Sequence, residues 1–387
     1  MSGERRVVVT GCGVQSPVGL GVSEFWEALV AGKSALRPIA HAWADDLVPN
    51  VAAQVPWDDG DDDRAGALAL RAADEAIRDA GLAPGRVAAE RLGVALGTTL
   101  GGMSIFEAWQ VAGHAVPGLD HVPYYAPAVR LARRHRVRGP VATPQLACAS
   151  GTHAVAMAAS WIRAGHADVV LAGGTDLLCR FVIAGFNGLR ATSDVARPFD
   201  ARRKGLVLGE GAAVLVVESE AHARARGARV LARVTGVGAA ADAVHMTAPD
   251  REGAGAARAI RAALAEAGRT PACVDFVSAH GTGTPYNDAM EATALVRVFG
   301  PGGVPVNSIK GAVGHTLGAA GALEAVLCVR VIQSGVAPPT AGLDEVDPAC
   351  AELDLVHGAA RCVSAQTVLS TSSGFAGANA AIVLEAP

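Results

Sequence analysis

Short runs of apolar residues, most of them bounded by glycine, recur along the whole chain. The runs are RVVVTG (6–11), GVALGTT (93–99), VVLAGG (169–174), AAVLVVE (212–218), VLARVTG (230–236), FVSAHG (276–281) and AAIVLE (380–385). Continuous apolar runs of this length, rich in β-branched residues, are typical of strands that are buried on both faces. The pattern therefore predicts a sheet with helices on each side.

Segments with helical character lie between the predicted strands, at 68–80, 152–164, 253–267 and 317–333. Strands that alternate with helices in this way indicate an α/β protein. A weak internal repeat is also visible, because CASGTH (148–153) and GHTLGAAG (314–321) both lead into an alanine-rich helix. We therefore expect two similar halves, residues 1–225 and 226–387, joined at the polar segment 218–229.

Composition and charge exclude several classes of partner. The chain has 387 residues, of which 51% are hydrophobic, and its net charge is -4. Nothing in this balance provides a basic field for nucleic acid or for an anionic membrane. The most apolar long segment, near 311–335, is interrupted by Glu324 and Arg330, so we expect no membrane span. We expect a cytoplasmic protein.

Cysteine usage argues against a metal site and against disulfides. The seven cysteines, at 12, 148, 179, 273, 328, 350 and 362, include no CxxC pair. Zinc sites and disulfide frameworks both have characteristic spacings that are missing here. The odd count suits a reducing compartment, and we expect no bound metal.

Cys148 lies in the stretch ACASG (147–151), just before a predicted helix. The start of a helix presents unpaired backbone N–H groups and the positive end of the dipole, which together lower a thiol pKa. Cysteine is also among the most buried residue types. By itself, Cys148 is therefore either a nucleophile or a small core residue.

Three ionisable residues occupy comparable positions later in the chain. His280 directly follows the predicted strand and precedes a glycine-rich loop, where it can serve chemistry or cap a turn. Lys310 and His315 precede the second alanine-rich helix. A lysine in so apolar a segment needs a partner if it is buried, and Glu324 on the following helix is the candidate.

These stretches resemble, in order and spacing, the active-site motifs of the β-ketoacyl-acyl carrier protein synthases. The motifs are ACASG with Cys148, HGTGTPYND (280–288), KGAVGHTLGAAGALE (310–324) and GFAGAN (374–379). The resemblance runs nearly from end to end. It implies an α/β thiolase-like fold in which two similar βαβαβ-type halves pack as a layered α-β-α-β-α sandwich.

The resemblance also implies a reaction, the decarboxylative Claisen condensation of a Cys148-bound acyl chain with malonyl-acyl carrier protein. No metal or other cofactor takes part, and the substrates are carried on phosphopantetheine. The backbone N–H groups of Cys148 and Phe375 would form the oxyanion hole. His280 and His315 would hydrogen-bond the thioester carbonyl as negative charge develops on it.

Other residues have supporting roles by the same resemblance. Lys310 would favour neutral His315 through its charge and pair with Glu324. Asp288 and Glu291 would fix the HGTGTP loop, Thr282 and Thr284 would hold the phosphopantetheine arm, and Phe375 would gate the nucleophile. His153 lies inside the predicted helix, five residues after Cys148, and for that reason we expect it to be a packing residue.

The sequence departs from the family pattern at two places that bear on access. GFAGAN has Ala376 and Ala378 where the family has glycine and threonine or serine. Alanine disfavours positive φ, so a gating loop that needs glycine would be restricted. The connection 191–200 is several residues short, which would reshape the mouth of the pocket.

A third departure concerns the acidic carrier protein. Family members bind the carrier protein with basic residues in the region that corresponds to DDGDDDRAGALAL (58–70) of this chain. Here that region is acidic, and Arg64 is nearly its only basic residue. We expect residues 58–63 to form a solvated loop. We therefore expect the carrier to dock on other basic clusters. These are Arg202, Arg203 and Lys204, and Arg133, Arg134, Arg136 and Arg138.

Two alternatives stay open at this point. An acyltransferase on the same fold would use Cys148 in the same way but would not extend the chain. A non-elongating partner subunit, the chain length factor of a ketosynthase heterodimer, would lack the cysteine. The expected enzyme belongs to fatty acid or type II polyketide or polyene biosynthesis and forms a homodimer, or a heterodimer with a chain length factor.

Overall fold

The computed structural model describes residues 5–57, 60–61, 63–83 and 85–387. The strands are β1 (Val7–Ser16), β2 (Gly19–Leu20), β3 (Leu36–Pro38), β4 (Val51–Ala53), β5 (Leu92–Gly97), β6 (Val141–Ala142), β7 (Val169–Asp176), β8 (Leu208–Gly209), β9 (Gly211–Ser219), β10 (Ala232–Ala241), β11 (Phe276–Ser278), β12 (Pro305–Asn307), β13 (Val336–Ala337), β14 (Asp354–Leu355), β15 (Arg361–Cys362), β16 (Thr367–Gly374) and β17 (Ala378–Glu385).

The helices are α1 (Val22–Val30), α2 (Arg64–Asp79), α3 (Met103–Ala112), α4 (Ala126–Arg134), α5 (Ser150–Arg163), α6 (Arg180–Gly188), α7 (Glu220–Ala225), α8 (Ala254–Glu266), α9 (Pro285–Phe299), α10 (Lys310–Val313) and α11 (Ala320–Ser334). Short 3₁₀ turns lie at Ala42–Ala44, Ala89–Arg91, Leu119–His121, Pro271–Cys273, Leu317–Ala319, Pro348–Cys350 and Phe375–Gly377. Each predicted helix corresponds to one of these helices.

The main sheet contains the same strand arrangement twice. Its order is β14-β12-β11-β16-β17-β10-β1-β9-β7-β5-β6. From β1 outward to β6 the four pairings are antiparallel, antiparallel, parallel and parallel. From β10 outward to β12 the same series occurs. The two series meet where Val8 of β1 lies opposite Arg233 of β10.

Helices pack on both series of strands, and two central helices lie between the series. Helix α2 packs on β1, β9 and β7, with α4 beside it, and α8 packs on β10 and β17, with α9 beside it. Helices α5 and α11 contact each other and strands of both series. The result is an α-β-α-β-α arrangement, which confirms the fold class that the resemblance implies.

The two central helices cross very closely near their first turns. A Cβ atom on Gly321 would lie 2.0 Å from Thr152 Oγ1, and one on Gly151 would lie 2.7 Å from the carbonyl oxygen of Gly318. Only glycine fits such a contact between backbones. The crossing therefore brings the residues before α5, which include Cys148, near those before α11, which include His315.

The central helix explains the apolar character of the last long segment. The span from Leu317 to Ser334 is long and apolar enough to cross a membrane by length and composition, but 78% of it is buried inside the protein. It is the interior α11 with its preceding 3₁₀ turn, so its hydrophobicity is accounted for by the core.

Part of the acidic run has a structural role. Asp58, Asp59 and Asp62 lie outside the described residues. Asp63 is buried, and its carboxylate caps α2 by accepting a hydrogen bond from the N–H of Gly66 at 2.9 Å. Both Asp61 and Asp63 pair with Arg130. The expectation of a solvated loop is thus wrong at Asp63, which is held by a cap and an ion pair.

Candidate active site

One cavity of 380 Å³ gathers residues from all four sequence motifs. Its buried end is formed by Cys148, His280 and His315, which are at most 7% exposed. Phe375 of the GFAGAN loop also lines it. The structure therefore brings together the nucleophile candidate from the first half of the chain and the two histidines from the second.

Cys148 lies in a tight turn that leads into α5. Ala147 before it has a φ of 48°, and the hydroxyl of Ser150 donates to the carbonyl oxygen of Ala147 and accepts from the N–H of Leu146. The backbone N–H groups of Phe375 and of Cys148 itself act on the thiol. These two donors are the pair that the resemblance implies for an oxyanion hole.

The protonation state of Cys148 differs from the expectation. Burial raises the pKa of the thiol to about 12, against the lowering influence of Lys310 and of the two N–H groups. Helix α5 begins at Ser150, two residues after the cysteine. The predicted lowering of the thiol pKa is therefore wrong, and the resting group is a neutral thiol.

His280 is positioned through its backbone by a buried carboxylate. The side chain of Glu291 on α9 accepts hydrogen bonds from the N–H groups of His280 and Gly281, both at 2.7 Å. The Nδ1 atom of His280 is buried without a partner in the part of the chain that the structure describes, which leaves Nε2 for a ligand. The sequence-based role of Glu291 in fixing this loop agrees with these contacts.

Asp288 organises the rest of the same loop. It accepts hydrogen bonds from the N–H groups of Thr282 (2.9 Å) and Gly283 (3.1 Å), and from that of Phe199 (2.7 Å). Burial raises the pKa of the Asp288 carboxyl, while these donors and Arg203 favour the charged form. The HGTGTP loop is thus held by two buried acids on one helix.

His315 is held in a single tautomer. Its Nδ1 accepts the N–H of Leu317 at 3.1 Å, so the ring proton lies on Nε2. Burial and the charge of Lys310 hold its pKa well below the usual range, and the same influences lower the pKa of His280. The two rings meet edge to face with centroids 5.1 Å apart. Both imidazoles are therefore neutral at physiological pH, and the N–H of His315 lies on Nε2.

Lys310 lies behind the histidines and does not line the cavity. Its ammonium group donates to Glu324 at 2.5 Å and to the backbone carbonyl oxygen of His280. Burial raises the pKa of the Glu324 carboxyl to about 7, and Lys310 opposes that rise. The predicted Lys310–Glu324 pair exists, and it fixes the backbone at His280.

The two threonines of the HGTGTP loop lie along the wall of the cavity. Their hydroxyl oxygens are 2.9 Å apart, and the Thr284 hydroxyl accepts the N–H of Asn287 to cap α9. Both threonines therefore line the same cavity as the two histidines. His153, by contrast, lies within α5 and does not line the cavity, in keeping with a packing role.

The GFAGAN loop takes up the conformation that alanine disfavours. Ala376 has a φ of 65°, and its N–H donates to the carbonyl oxygen of Met246 at 2.7 Å. A left-handed conformation costs a non-glycine residue roughly 1–2 kcal/mol. Phe375 stacks on Phe186, with ring centroids 5.6 Å apart.

Sequence reasoning missed Asp176 at the end of β7. This buried carboxylate accepts hydrogen bonds from the hydroxyl of Thr98 (2.7 Å) and from the N–H groups of Leu100 (2.9 Å) and Gly318 (2.6 Å). It connects the first series of strands to the turn before α11, and its charge raises the thiol pKa of Cys148. The available signal was an aspartate ending an otherwise apolar strand.

The docking expectation for Arg203 is wrong. Its side chain is 5% exposed and forms ion pairs with Asp347 at 2.5 Å and Asp288 at 3.9 Å, so it is not available at the surface. Arg202 is half-exposed but is paired with Asp200 and Asp344. Arg133 and Arg134 are exposed at the end of α4, and neither lines the cavity.

Two family models match most of the chain. "Beta-ketoacyl synthase, N-terminal domain" matches residues 4–62 and 58–223. "Beta-ketoacyl synthase, C-terminal domain" matches residues 231–344.

Curated relatives match over nearly their full lengths. The "Tetracenomycin polyketide synthase ketoacyl synthase alpha subunit" of Streptomyces glaucescens is 39% identical, covering 99% of this chain and 98% of the relative. The "3-oxoacyl-[acyl-carrier-protein] synthase 2" of Rhizobium meliloti (strain 1021) is 38% identical, covering 98% of each.

Solved structures agree with the fold over the same extent. "The ishigamide ketosynthase/chain length factor" has a TM-score of 0.94 and 39% identity, covering 99% of this chain and 100% of that one. A "type II PKS acyl-carrier protein in complex with its ketosynthase bound to the hexaketide" has a TM-score of 0.93 and 33% identity, with the same coverage.

Proposed function

Because the chain belongs to the beta-ketoacyl synthase family of acyl-transferring condensing enzymes, we propose that it extends an acyl group held on Cys148 with malonyl-acyl carrier protein. The product is a β-ketoacyl-acyl carrier protein. One observation carries this proposal, namely that Cys148, His280 and His315 line the buried end of one cavity.

The first step moves the acyl group to the protein. The sulfur of Cys148 attacks the thioester carbonyl of the acyl carrier, and the developing oxyanion accepts hydrogen bonds from the N–H groups of Cys148 and Phe375. Collapse of this intermediate breaks the carrier C–S bond. The proton lost by the Cys148 thiol ends on the departing carrier thiol, so charge is balanced.

The second step forms the new carbon–carbon bond. The neutral His280 and His315 donate hydrogen bonds to the thioester carbonyl of the malonyl carrier as carbon dioxide leaves and an enolate forms. The enolate carbon attacks the acyl carbonyl on Cys148. The carbon–sulfur bond breaks, and the Cys148 thiolate that leaves takes a proton from solvent water, which balances the negative charge that the malonyl carboxylate brought in.

Lys310 supports both histidines without contacting the substrate. Its positive charge disfavours a second positive charge on either imidazole, so each ring keeps one N–H donor and stays neutral. Its ammonium group also holds the His280 carbonyl oxygen, which fixes the main chain at the ring. We assign Lys310 a positioning role for this reason.

The wider setting of the reaction completes the proposal. The substrates arrive on the phosphopantetheine of an acyl carrier protein, no metal or other cofactor takes part, and the enzyme works in the cytoplasm of a cell that makes fatty acids or type II polyketides. It acts as a homodimer or as a heterodimer with a chain length factor, with residues 1–225 and 226–387 as its two halves. The names of two similar solved structures, a ketosynthase with a chain length factor and a ketosynthase with its carrier protein, support these partners.

A labelling experiment tests the condensation. The enzyme is first acylated with an acyl carrier and then mixed with malonyl carrier labelled with ¹³C at the free carboxyl group. We expect labelled carbon dioxide and a product two carbons longer, and the control variant Cys148→Ala should form no extended product. Acylation of Cys148 without carbon dioxide release or chain extension would instead identify an acyltransferase.

A further inference from the structure

Two cationic side chains, those of Arg190 and Lys204, lie at the mouth of the cavity. Arg190 and Lys204 are both exposed and both line the cavity that ends at Cys148. Neither side chain forms an ion pair or a side-chain hydrogen bond with any residue that the structure describes. Their positive charge is therefore free to meet a ligand.

The neighbouring arginines differ from Arg190 and Lys204 because they form ion pairs with aspartates. Arg197 and Arg202 both pair with Asp344. Arg203 is buried against Asp347. Within one short segment of sequence, these arginines are neutralised by aspartates, whereas Lys204 has no acidic partner in the described part of the chain.

Backbone pairing places the two cations at matching positions. Thr192 pairs with Leu206 in parallel, and the N–H of Leu206 donates to the carbonyl oxygen of Ala191 at 2.9 Å. Arg190 and Lys204 each lie two residues before that pairing. The segments that carry them run side by side along the mouth.

Between its mouth and Cys148, the cavity is lined by hydroxyl groups that can bind a narrow polar ligand. Thr282 and Thr284 supply hydroxyl groups along it, and Phe375 lies next to Cys148. A ligand that reaches the thiol thus passes from a cationic rim, past hydroxyl groups, to a buried end. The ligand therefore has an anionic group at its outer end and a thioester at its inner end.

We propose that Arg190 and Lys204 bind the phosphate of the phosphopantetheine arm, an inference that rests on the proposed function. A phosphodiester is a monoanion with two free oxygens, which a guanidinium contacts in bidentate fashion and an ammonium contacts as a point charge. This pair holds the outer end of the arm while the thioester reaches Cys148. The assigned ligand is the phosphate of the arm and not the acidic surface of the carrier protein.

The test compares two small thioesters that differ only in the phosphate. Acylation of Cys148 is followed by mass spectrometry with an acyl-phosphopantetheine and with the same acyl-pantetheine, at low and high salt. The variants are Arg190→Gln, Lys204→Gln and the double variant. Lys33→Gln is the matched control, because Lys33 is exposed and does not line the cavity.

We expect the double variant to lower kcat/KM for the phosphorylated thioester about tenfold or more, as loss of charge-assisted hydrogen bonds does. The phosphate-free thioester should react as with the wild type, and high salt should reduce only the phosphorylated reaction. Lys33→Gln should change neither rate.

Three results would overturn the assignment. Equal losses with both thioesters would mean that the residues only shape the mouth. A loss seen with the intact acyl carrier protein but not with free acyl-phosphopantetheine would assign the cations to the surface of the carrier. A wild-type enzyme that is acylated by no acyl thioester, free or carrier-bound, would overturn the proposed function itself.

Discussion

The residues before α5 and those before α11 occupy equivalent places in the two strand series, but they carry different chemistry. Before α5 the chain places Cys148 among alanine, serine and glycine. Before α11 it places Lys310 and His315, with Glu324 inside the helix. Equivalent places in the two halves therefore hold the proposed nucleophile in one case and the proposed hydrogen-bonding and electrostatic groups in the other. This division allows the two steps of the reaction to be separated by mutation.

Burial shifts the pKa values of Cys148 and of the two histidines in opposite directions, but in both places it favours the neutral form. It raises the pKa of the Cys148 thiol and lowers the pKa of His280 and His315. Each group is consequently kept in its neutral form. The resting site holds a thiol beside two imidazoles and not a thiolate–imidazolium pair, and its buried positive charge is supplied by Lys310.

Removal of the proposed nucleophile should have the largest effect on activity, and it should leave the decarboxylation of malonyl carrier intact. We expect Cys148→Ala to reduce acylation and condensation by roughly 10³-fold or more, because no other group replaces the sulfur. Decarboxylation of malonyl carrier should continue, since both histidines remain. The measurement is acyl-enzyme by mass spectrometry together with released carbon dioxide. Loss of carbon dioxide release as well as acylation in a folded variant would contradict the division of labour.

Removal of a histidine should give the converse result. His315→Ala loses the Nε2 donor and should slow decarboxylation by roughly 10²–10³-fold, as removal of an oxyanion donor does. Acylation of Cys148 should stay within a few-fold of the wild type, because its N–H donors are unchanged. His166→Ala is the control, since His166 is exposed and does not line the cavity. An equal loss in both steps would show that His315 also serves acyl transfer.

The crossing of the central helices should be sensitive to one methyl group. Gly321→Ala places a Cβ 2.0 Å from Thr152 Oγ1, and the overpacking should lower the free energy of unfolding by about 1–3 kcal/mol. Gly188→Ala in α6 is the matched control, because no atom of a described residue lies within 4 Å of its added Cβ. Urea denaturation of both variants checks this. Equal stability would mean that the helices cross less closely than described.

The pH dependence of thiol alkylation should distinguish a neutral thiol from a preformed thiolate. With its pKa raised to about 12, the reactive fraction of Cys148 should grow roughly tenfold for each pH unit between 7 and 10. Iodoacetamide labelling, followed for the Cys148 peptide, measures this rate. A rate that is constant above pH 8 would show that the thiolate already exists and that burial does not dominate.

Much of the fold was accessible from sequence because its signals are local, whereas the site residues were assigned through the resemblance of their motifs to a known family. Apolar runs and alanine-rich segments define the strands and helices, and the motif residues Cys148, His280, Lys310 and His315 each adjoin a strand end or a helix start. Such ends converge when parallel strands share a sheet. The structure brings these residues together, while their catalytic roles stay predictions until the variants are measured.

The features that sequence did not reveal all depend on distant partners. RRK at 202–204 looks like one basic patch, but Asp347 draws Arg203 inward and leaves Lys204 outside. The start of a helix near Cys148 is visible in the sequence, whereas the burial that raises its pKa is not. The structural role of Asp176 depends on its hydrogen bond from the N–H of Gly318, which lies 142 residues away in the sequence.

The contact between α5 and α11 also limits how such enzymes can be recombined. Gly151 and Thr152 belong to one half, and Gly318 and Gly321 belong to the other. Gly151 packs against Gly318 and Thr152 packs against Gly321, so the size of each residue limits the size of its partner. A chimera that joins the first half of this chain to the second half of a relative must therefore match these four positions. Where they differ in size, the helices separate, and the distance from nucleophile to histidine changes with them.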